Sequence, residues 1–314
     1  MLAFDRLAGY SCRSEHHGRG DPDPARPLAA RRRPGGEHED ALPAAGARVA
    51  VIGCGTSLFI AQAYAALRER AGLGETDAFA ASEVPPGRRY DVVVAISRSG
   101  TTTEVVHALR AGGLADRSLA LVAVAGTPVD AVADAAIVLD FADERSVVQT
   151  RFATSALTLL RESVDDGTAS VAAADAARAL AGPLPVEPAD IDQWTFLGRG
   201  WTVGLAREAA LKLREAAQAW TEAYPLFEYR HGPISIAAPG RAIWSLSPLD
   251  DAVVAELGHT GATVLADGHD PLAALVLAQR CAVALAEARG LDPDRPRHLT
   301  RSVVLPDHDL EPLT

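Results

Sequence analysis

From Ala47 onward the apolar positions come in continuous blocks separated by helix-period stretches. Val49-Ala50-Val51-Ile52 is an apolar run that ends in Gly53-Cys54-Gly55-Thr56-Ser57, and a helical pattern from Leu58 to Arg70 follows. Asp91 to Ile96 is a second run, ending in Ser97-Arg98-Ser99-Gly100-Thr101-Thr102-Thr103-Glu104, with a helix through Arg110. Leu119–Val124 and Ala136–Leu139 read as further strands, and Arg151–Arg161 and Ser170–Leu180 as helices. The pattern then restarts. Trp194–Leu197 is a strand, Gly198-Arg199-Gly200 a turn, and Val203–Trp220 a long helix. Ala242–Leu246, Ala262–Ala266 and Val303–Leu305 are strand candidates, and Leu272–Arg289 is a helix. Unbroken runs rich in β-branched residues, alternating with helices, predict an α/β fold with parallel sheets covered on both faces. Two halves with the same strand, glycine turn and helix opening suggest duplication of one doubly wound unit.

These blocks set the expected organisation. Residues 1–46 carry almost no apolar period and read as a poorly ordered arm; residues 47–181 form a first domain and 186–306 a second; residues 307–314 are a tail. Gly182-Pro183-Leu184-Pro185 is the expected linker. A length of 314 residues suits two domains of ordinary size.

Charge and composition narrow the chemistry. The net charge of −11 disfavours nonspecific binding to nucleic acid or an anionic membrane, which needs a basic face. The basic triplet Arg31 to Arg33 is therefore read as part of a solvated arm. Without an apolar run of about 18 residues, neither a membrane span nor any membrane partner is expected. Residues 1–20 lack an apolar signal-peptide core. Three scattered cysteines, Cys12, Cys54 and Cys281, give no disulfide or zinc pattern, so a cytoplasmic setting is the default. Lys212 is the single lysine among thirty Lys and Arg residues. Any imine-forming lysine would have to be this one.

Ligands of doubly wound sheets sit at the carboxyl ends of the strands. Both hydroxyl-rich loops fall there, each before a helix. Glycines let backbone approach an anion, and free N–H groups at a helix start hold it. Gly55, Thr56, Ser57, Ser97, Arg98, Ser99 and Thr102 are thus candidate phosphate ligands, with Arg98 able to grip bidentately. The loops match neither a Walker sequence nor a dinucleotide fingerprint. Pro248 follows the second half's corresponding strand and removes a donor there, so one phosphate site is expected, in the first half. On the long helix, Glu208, Lys212 and Glu215 fall at i, i+4 and i+7 and share a face, where an ion-pair ladder is the plain alternative to chemistry. His231, held by Gly232-Pro233 after an aromatic and charged loop, is a candidate general acid–base.

Together these segments resemble the sugar isomerase (SIS) phosphosugar-binding family, which includes the isomerase half of glucosamine-6-phosphate synthase and shorter isomerase and deglycase relatives. The resemblance covers residues 48–305. It rests on the two loops above, on Glu144 to Thr150, Phe196 to Gly200, Glu208 to Glu215, Arg230 to Pro233 and Pro296 to Val303. It implies two tandem SIS domains, a sugar 6-phosphate substrate, no metal or organic cofactor, and a homodimer in which the histidine comes from the partner subunit. Carried over, Ser57, Ser97, Ser99 and Thr102 would hold phosphate. Glu215 would move a proton between carbons 1 and 2, His231 would open the ring, and Lys212 would stabilise the enediolate. Glu208, Arg297 and Arg301 are further candidates.

Departures from the family pattern matter. Arg98 stands between the phosphate serines where the synthase has glutamine. Arg301 stands where the synthase has its imine-forming lysine, and arginine cannot form that imine. The glutaminase domain is missing, and residues 1–46 do not resemble the family's usual N-terminal helix. The expectation is an aldose–ketose or amino-sugar phosphate isomerase without full glutamine-dependent activity. A deglycase or deaminase and a non-catalytic phosphosugar sensor are the alternatives.

Overall fold

The apolar runs become two parallel sheets in the computed structural model, which describes residues 41–266 and 268–306. The first sheet contains β1 (Val49–Gly53), β2 (Thr76–Ala80), β3 (Tyr90–Ser97), β4 (Ala115–Val122) and β5 (Ala135–Val138), in the order β2-β1-β3-β4-β5. The second contains β6 (Gln193–Gly198), β7 (Trp220–Pro225), β8 (Arg241–Ser245) and β9 (Thr263–Leu265), in the order β7-β6-β8-β9. Each sheet therefore reverses direction of growth beside its first strand, between β1 and β3 and between β6 and β8.

The helices are α1 (Thr56–Arg70), α2 (Thr103–Arg110), α3 (Pro128–Val132), α4 (Arg151–Glu162), α5 (Thr168–Ala181), α6 (Thr202–Ala217), α7 (Asp251–Gly258) and α8 (Pro271–Ala288). Alternation along the strands sorts them into layers. Val49 and Val51 face one core with Trp194, Phe196 and Trp244 of the other sheet, through side chains of α1, α4, α5, α6 and α8. Ala50 and Ile52 face outward against α2 and α3, while Leu197 and Ile243 face Leu257 of α7. The two sheets thus share one helical layer and one continuous core. Two separate tandem cores do not form, because α6 and α8 bury their apolar faces against helices of the first sheet. Helix α8 has the length and composition to cross a membrane, but its Leu, Val and Ala side chains fill this core.

The contact between α1 and α6 is made at backbone distance. A Cβ on Gly204 would lie 2.5 Å from the Phe59 carbonyl oxygen and 2.9 Å from the Ala63 nitrogen. Arg207 Nη1 donates to Gln62 Oε1 at 2.6 Å across the same pair.

Several expectations change. Residues 41–46 are packed, not part of a loose arm. Buried Arg68 donates to the Pro43 and Ala44 carbonyls, and Arg117 to that of Ala41. Residues 1–40, with Cys12 and the Arg31–Arg33 triplet, and residues 307–314 lie outside the described residues. The long helix stops at Ala217, where Gln218 adopts a left-handed φ of 53°, and Trp220 opens β7. The half-buried edge strand β2 and helix α7 were not expected. Val303–Leu305 forms no strand; it runs beside α2, with Thr103 N donating to the Val303 carbonyl at 3.3 Å. The expected linker is clamped by Arg280, which donates to the Ala179 and Gly182 carbonyls.

Gly204→Ala should lower stability by about 1–3 kcal/mol, because the added methyl meets backbone that cannot retreat. Chemical denaturation measures this, with Gly258→Ala, where a Cβ meets nothing within 4 Å, as the neutral control.

Candidate active site

Both halves build the same turn at the end of their first strand. A Cβ on Gly53 would lie 2.7 Å from the Ser57 carbonyl carbon, and one on Gly198 would lie 2.3 Å from the Thr202 carbonyl oxygen. Gly55 and Gly200 have φ of 54° and 59°, which an L side chain rarely adopts. The halves differ in what fills the turn. In the second, Arg199 N donates to Thr202 Oγ1 at 2.8 Å and to Ser247 Oγ at 2.9 Å, and those hydroxyls pair at 2.6 Å. That turn satisfies itself.

In the first half, buried Ser57 follows Gly55, and Ser97 at the end of β3 lies across the reversal point. Ser97 Oγ lies 3.3 Å from Thr102 Oγ1 and accepts from Gly100 N at 3.2 Å. Ser99 Oγ and Thr101 Oγ1 donate to Ser302 Oγ at 3.1 and 2.8 Å. A strap of residues 300–305 therefore lies over the Ser97–Thr103 loop, a contact the sequence did not reveal.

Arg98 does not present its guanidinium as a free phosphate grip. The side chain is buried, and its two terminal nitrogens donate to the carbonyls of Ser146 (2.8 Å) and Arg301 (2.9 Å). Glu144 Oε1 stands 4.0 Å away. The Glu144 carboxylate caps α4, accepting from the N–H groups of Thr150, Arg151 and Phe152 and from the Thr150 hydroxyl. Arg301 reaches back to the Glu144 carbonyl and the Asp143 carboxylate. These arginines thus hold the strap and the 143–150 segment together.

On α6 the predicted face is buried. Lys212 Nζ lies 3.3 Å from Glu208 Oε1 and 2.6 Å from Glu215 Oε2, and donates to Thr56 Oγ1 at 2.9 Å. Thr56 donates in turn to Glu208 Oε1 at 3.2 Å. Thr56 is therefore the link between the strand-end turn and α6, and its hydroxyl is not turned to a phosphate. An exposed ion-pair ladder is excluded by burial: the Glu208 and Lys212 side chains are 0 % and 1 % exposed. Glu215, at 18 %, is the most exposed member of the cluster.

Burial pushes the Glu208 carboxyl up to about 7; nearby Glu215 adds to this, while Lys212 and Thr56 oppose it. Burial pulls Lys212 down, but Glu208 and Glu215 outweigh it and leave the ammonium above its usual value. Lys212 is thus charged at neutral pH. Burial, with help from Glu104, pushes the Cys54 thiol up to about 11, so it stays protonated and is no nucleophile.

His231 and Arg297 stand apart from this cluster. His231 is exposed after the short turn Glu228–Arg230, and Arg297 is exposed on the C-terminal segment. Among the described residues no group of three His, Cys, Asp or Glu side chains could hold a metal ion.

Lys212→Met should cost about 3–5 kcal/mol at pH 8 by leaving buried carboxylates uncompensated. The loss should shrink at pH 5, where Glu208 takes up a proton. Because folding raises the Glu208 pKa from 4.5 to about 7, the folded state binds the extra proton between those values. Stability relative to Glu208→Gln should therefore fall as pH rises from 4.5 to about 7 and then level off. Denaturant unfolding of both proteins at pH 5 and 8 measures this.

Residues 44–161 match the SIS domain. The chain is 29% identical to a glutamine–fructose-6-phosphate aminotransferase of Aeropyrum pernix, over 68% of this chain and 43% of that protein. It is 27% identical to the enzyme of that name from Methanothermobacter thermautotrophicus, over 82% of this chain and 52% of that protein. The chain thus spans about half the length of these relatives. Its fold superposes on a glucosamine-6-phosphate deaminase from Thermotoga maritima with a TM-score of 0.75 and 25% identity, covering 82% of this chain and 91% of that one. Tagatose-6-phosphate ketose/aldose isomerase from Escherichia coli shares the fold, with a TM-score of 0.71 at 18% identity over 88% and 89% of the two chains. The chain thus carries a match to the SIS domain over residues 44–161, and the aminotransferases are among its homologues.

Proposed function

We propose that the chain is a phosphosugar isomerase that moves a proton between carbons 1 and 2 of a ketose, aldose or amino-sugar 6-phosphate. The observation that carries this reading is the Glu208–Lys212–Glu215 cluster, tied through Thr56 to the first-half turn. A phosphate held by Ser57, Ser97, Ser99 and Thr102 sets the far end of the sugar beside Glu215. Glu215, the accessible carboxylate, takes the proton from one carbon and returns it to the next. Lys212 stabilises the enediolate oxygen, where an ammonium in a dry site has its largest effect. Glu208 keeps that ammonium in place. The second sheet, with its matching strand order, is the counterpart SIS unit, and residues 47–181 and 186–306 are the two units.

His231 acts from a second copy of the chain, opening the sugar ring in a cytoplasmic homodimer. Its exposed position suits a residue that serves a neighbour's site. A deglycase or deaminase reading uses the same residues with an amine as leaving group. The likeness to the Thermotoga maritima deaminase favours it as the second reading, as does Arg301 in place of an imine-forming lysine.

The test is solvent exchange. With fructose 6-phosphate or glucosamine 6-phosphate in deuterated water, deuterium should enter carbon 1 or 2, and Glu215→Gln should slow this by about 10²–10⁴-fold. Binding without exchange would leave a sensor and end the catalytic reading. Mixing Glu215→Gln with His231→Ala chains should restore about a quarter of wild-type activity through hybrid dimers. No recovery would refute the shared site.

A further inference from the structure

The Glu208–Lys212–Glu215 cluster holds titratable protons and has almost no surface through which to trade them. Glu208 and Lys212 are buried, and Glu215 carries most of what exposure there is. Burial pushes the Glu208 carboxyl up to about 7, so a proton has to enter or leave it near neutral pH. A buried site exchanges protons either when the fold opens locally or along a standing path of water.

Such a path lies on the α8 side of α6. A cleft of about 380 Å³, counting the part open to solvent, has Lys212 in its wall. Small residues keep the gap open where the two helices face it: Ala216, one turn beyond Lys212 on α6, and Ala282 on α8. Polar groups then line the way out, since Ser146, Thr150, Gln279 and Asp294 are wall residues and all are half-buried. Gln279 Nε2 is a buried donor with no acceptor in the protein. Water in a cavity needs several polar partners, and these side chains supply them. Glu215 and the phosphate candidates Ser57, Ser97, Ser99 and Thr102 take no part in this wall. The cleft thus reaches the cluster through Lys212 alone.

Lys212 Nζ is 2.6 Å from Glu215 Oε2 and 3.3 Å from Glu208 Oε1. When either carboxylate is protonated, its hydrogen can become one of those on nitrogen as a nitrogen hydrogen takes its place, and no charge moves. Exchange at the ammonium therefore reaches both carboxylates.

We infer that the cleft is a solvent port, a water path through which the hydrogens of the Lys212 ammonium exchange with bulk water independently of the Glu215 side. The port stands apart from the sugar-phosphate reading above, and only its use in turnover rests on that reading. In turnover it keeps the cluster in proton contact with solvent while a sugar covers Glu215.

Lys212 is the chain's single lysine, so protein carrying heavy nitrogen in lysine alone gives one ammonium signal. Its hydrogen exchange with water, read by NMR, tests the port. Val283→Phe puts a ring into the cleft from α8 and touches none of the cluster's own partners. The variant should slow exchange at least tenfold, and a smaller effect in the folded variant overturns the port. In the wild type, saturating fructose 6-phosphate should shift the signal and slow exchange less than threefold. A greater slowing places solvent access on the Glu215 side and also overturns the port. If Val283→Phe fails to fold, the indole N–H of buried Trp194 is the reference. After correction for intrinsic rates, Lys212 should be at least tenfold less protected than this indole, and a smaller difference overturns the port. A signal that neither fructose 6-phosphate nor glucosamine 6-phosphate shifts refutes the sugar-phosphate reading, while the exchange comparisons still decide the port.

Discussion

A single buried ammonium organises this molecule. Lys212 sits between two carboxylates of its own helix and a hydroxyl from the other sheet's first helix. An ion taken from water into a protein interior survives only where close partners replace its hydration. That requirement fixes Thr56, and with it the Gly53–Ser57 turn, against α6. Gly204 supplies the other half of the constraint, since only a residue without a side chain lets α1 and α6 approach at backbone distance. The phosphate-loop candidates and the acid–base candidates meet because these two features pin one helix of each sheet together.

The shared helical layer explains why two similar halves behave differently. Both carry the Gly-x-Gly turn and the same strand order. In the second, Thr202 and Ser247 spend their hydroxyls on each other and on Arg199 N, and that turn is closed to an outside anion. The second half instead contributes the carboxylates. The two halves thus differ in which hydroxyls are engaged at the corresponding turn: Thr202 and Ser247 pair with each other, whereas Ser99 and Thr101 reach the strap at Ser302.

Much of this was legible in the sequence where local pattern dictates structure. The buried runs at Val49 and Asp91 became β1 and β3 because parallel strands covered on both faces need unbroken apolar residues. Helical spacing put Glu208, Lys212 and Glu215 on one face. What escaped depends on partners distant in the chain. β2 is an edge strand whose Asp and Ala residues carry no strong strand signal. The direction of Arg98 is set by carbonyls at Ser146 and Arg301, which no local spacing reveals. Thr56 looked like a helix start and a phosphate donor; its tie to Lys212, 156 positions away, appears only once the sheets are packed. Val303–Leu305 has β-branched residues, yet its partner is a helix terminus and not a sheet edge.

The strap has a kinetic meaning. Arg98 and Ser99 find their acceptors on Arg301 and Ser302, each 203 positions further along. During synthesis the first sheet can assemble early, but its hydroxyl loop must wait for residues translated long afterwards. Contacts of such sequence separation slow the final steps of assembly. The emerging chain therefore passes through a stage in which the first sheet exists without its clasp, and a chaperone or protease would meet the Ser97–Thr103 loop uncovered during that interval.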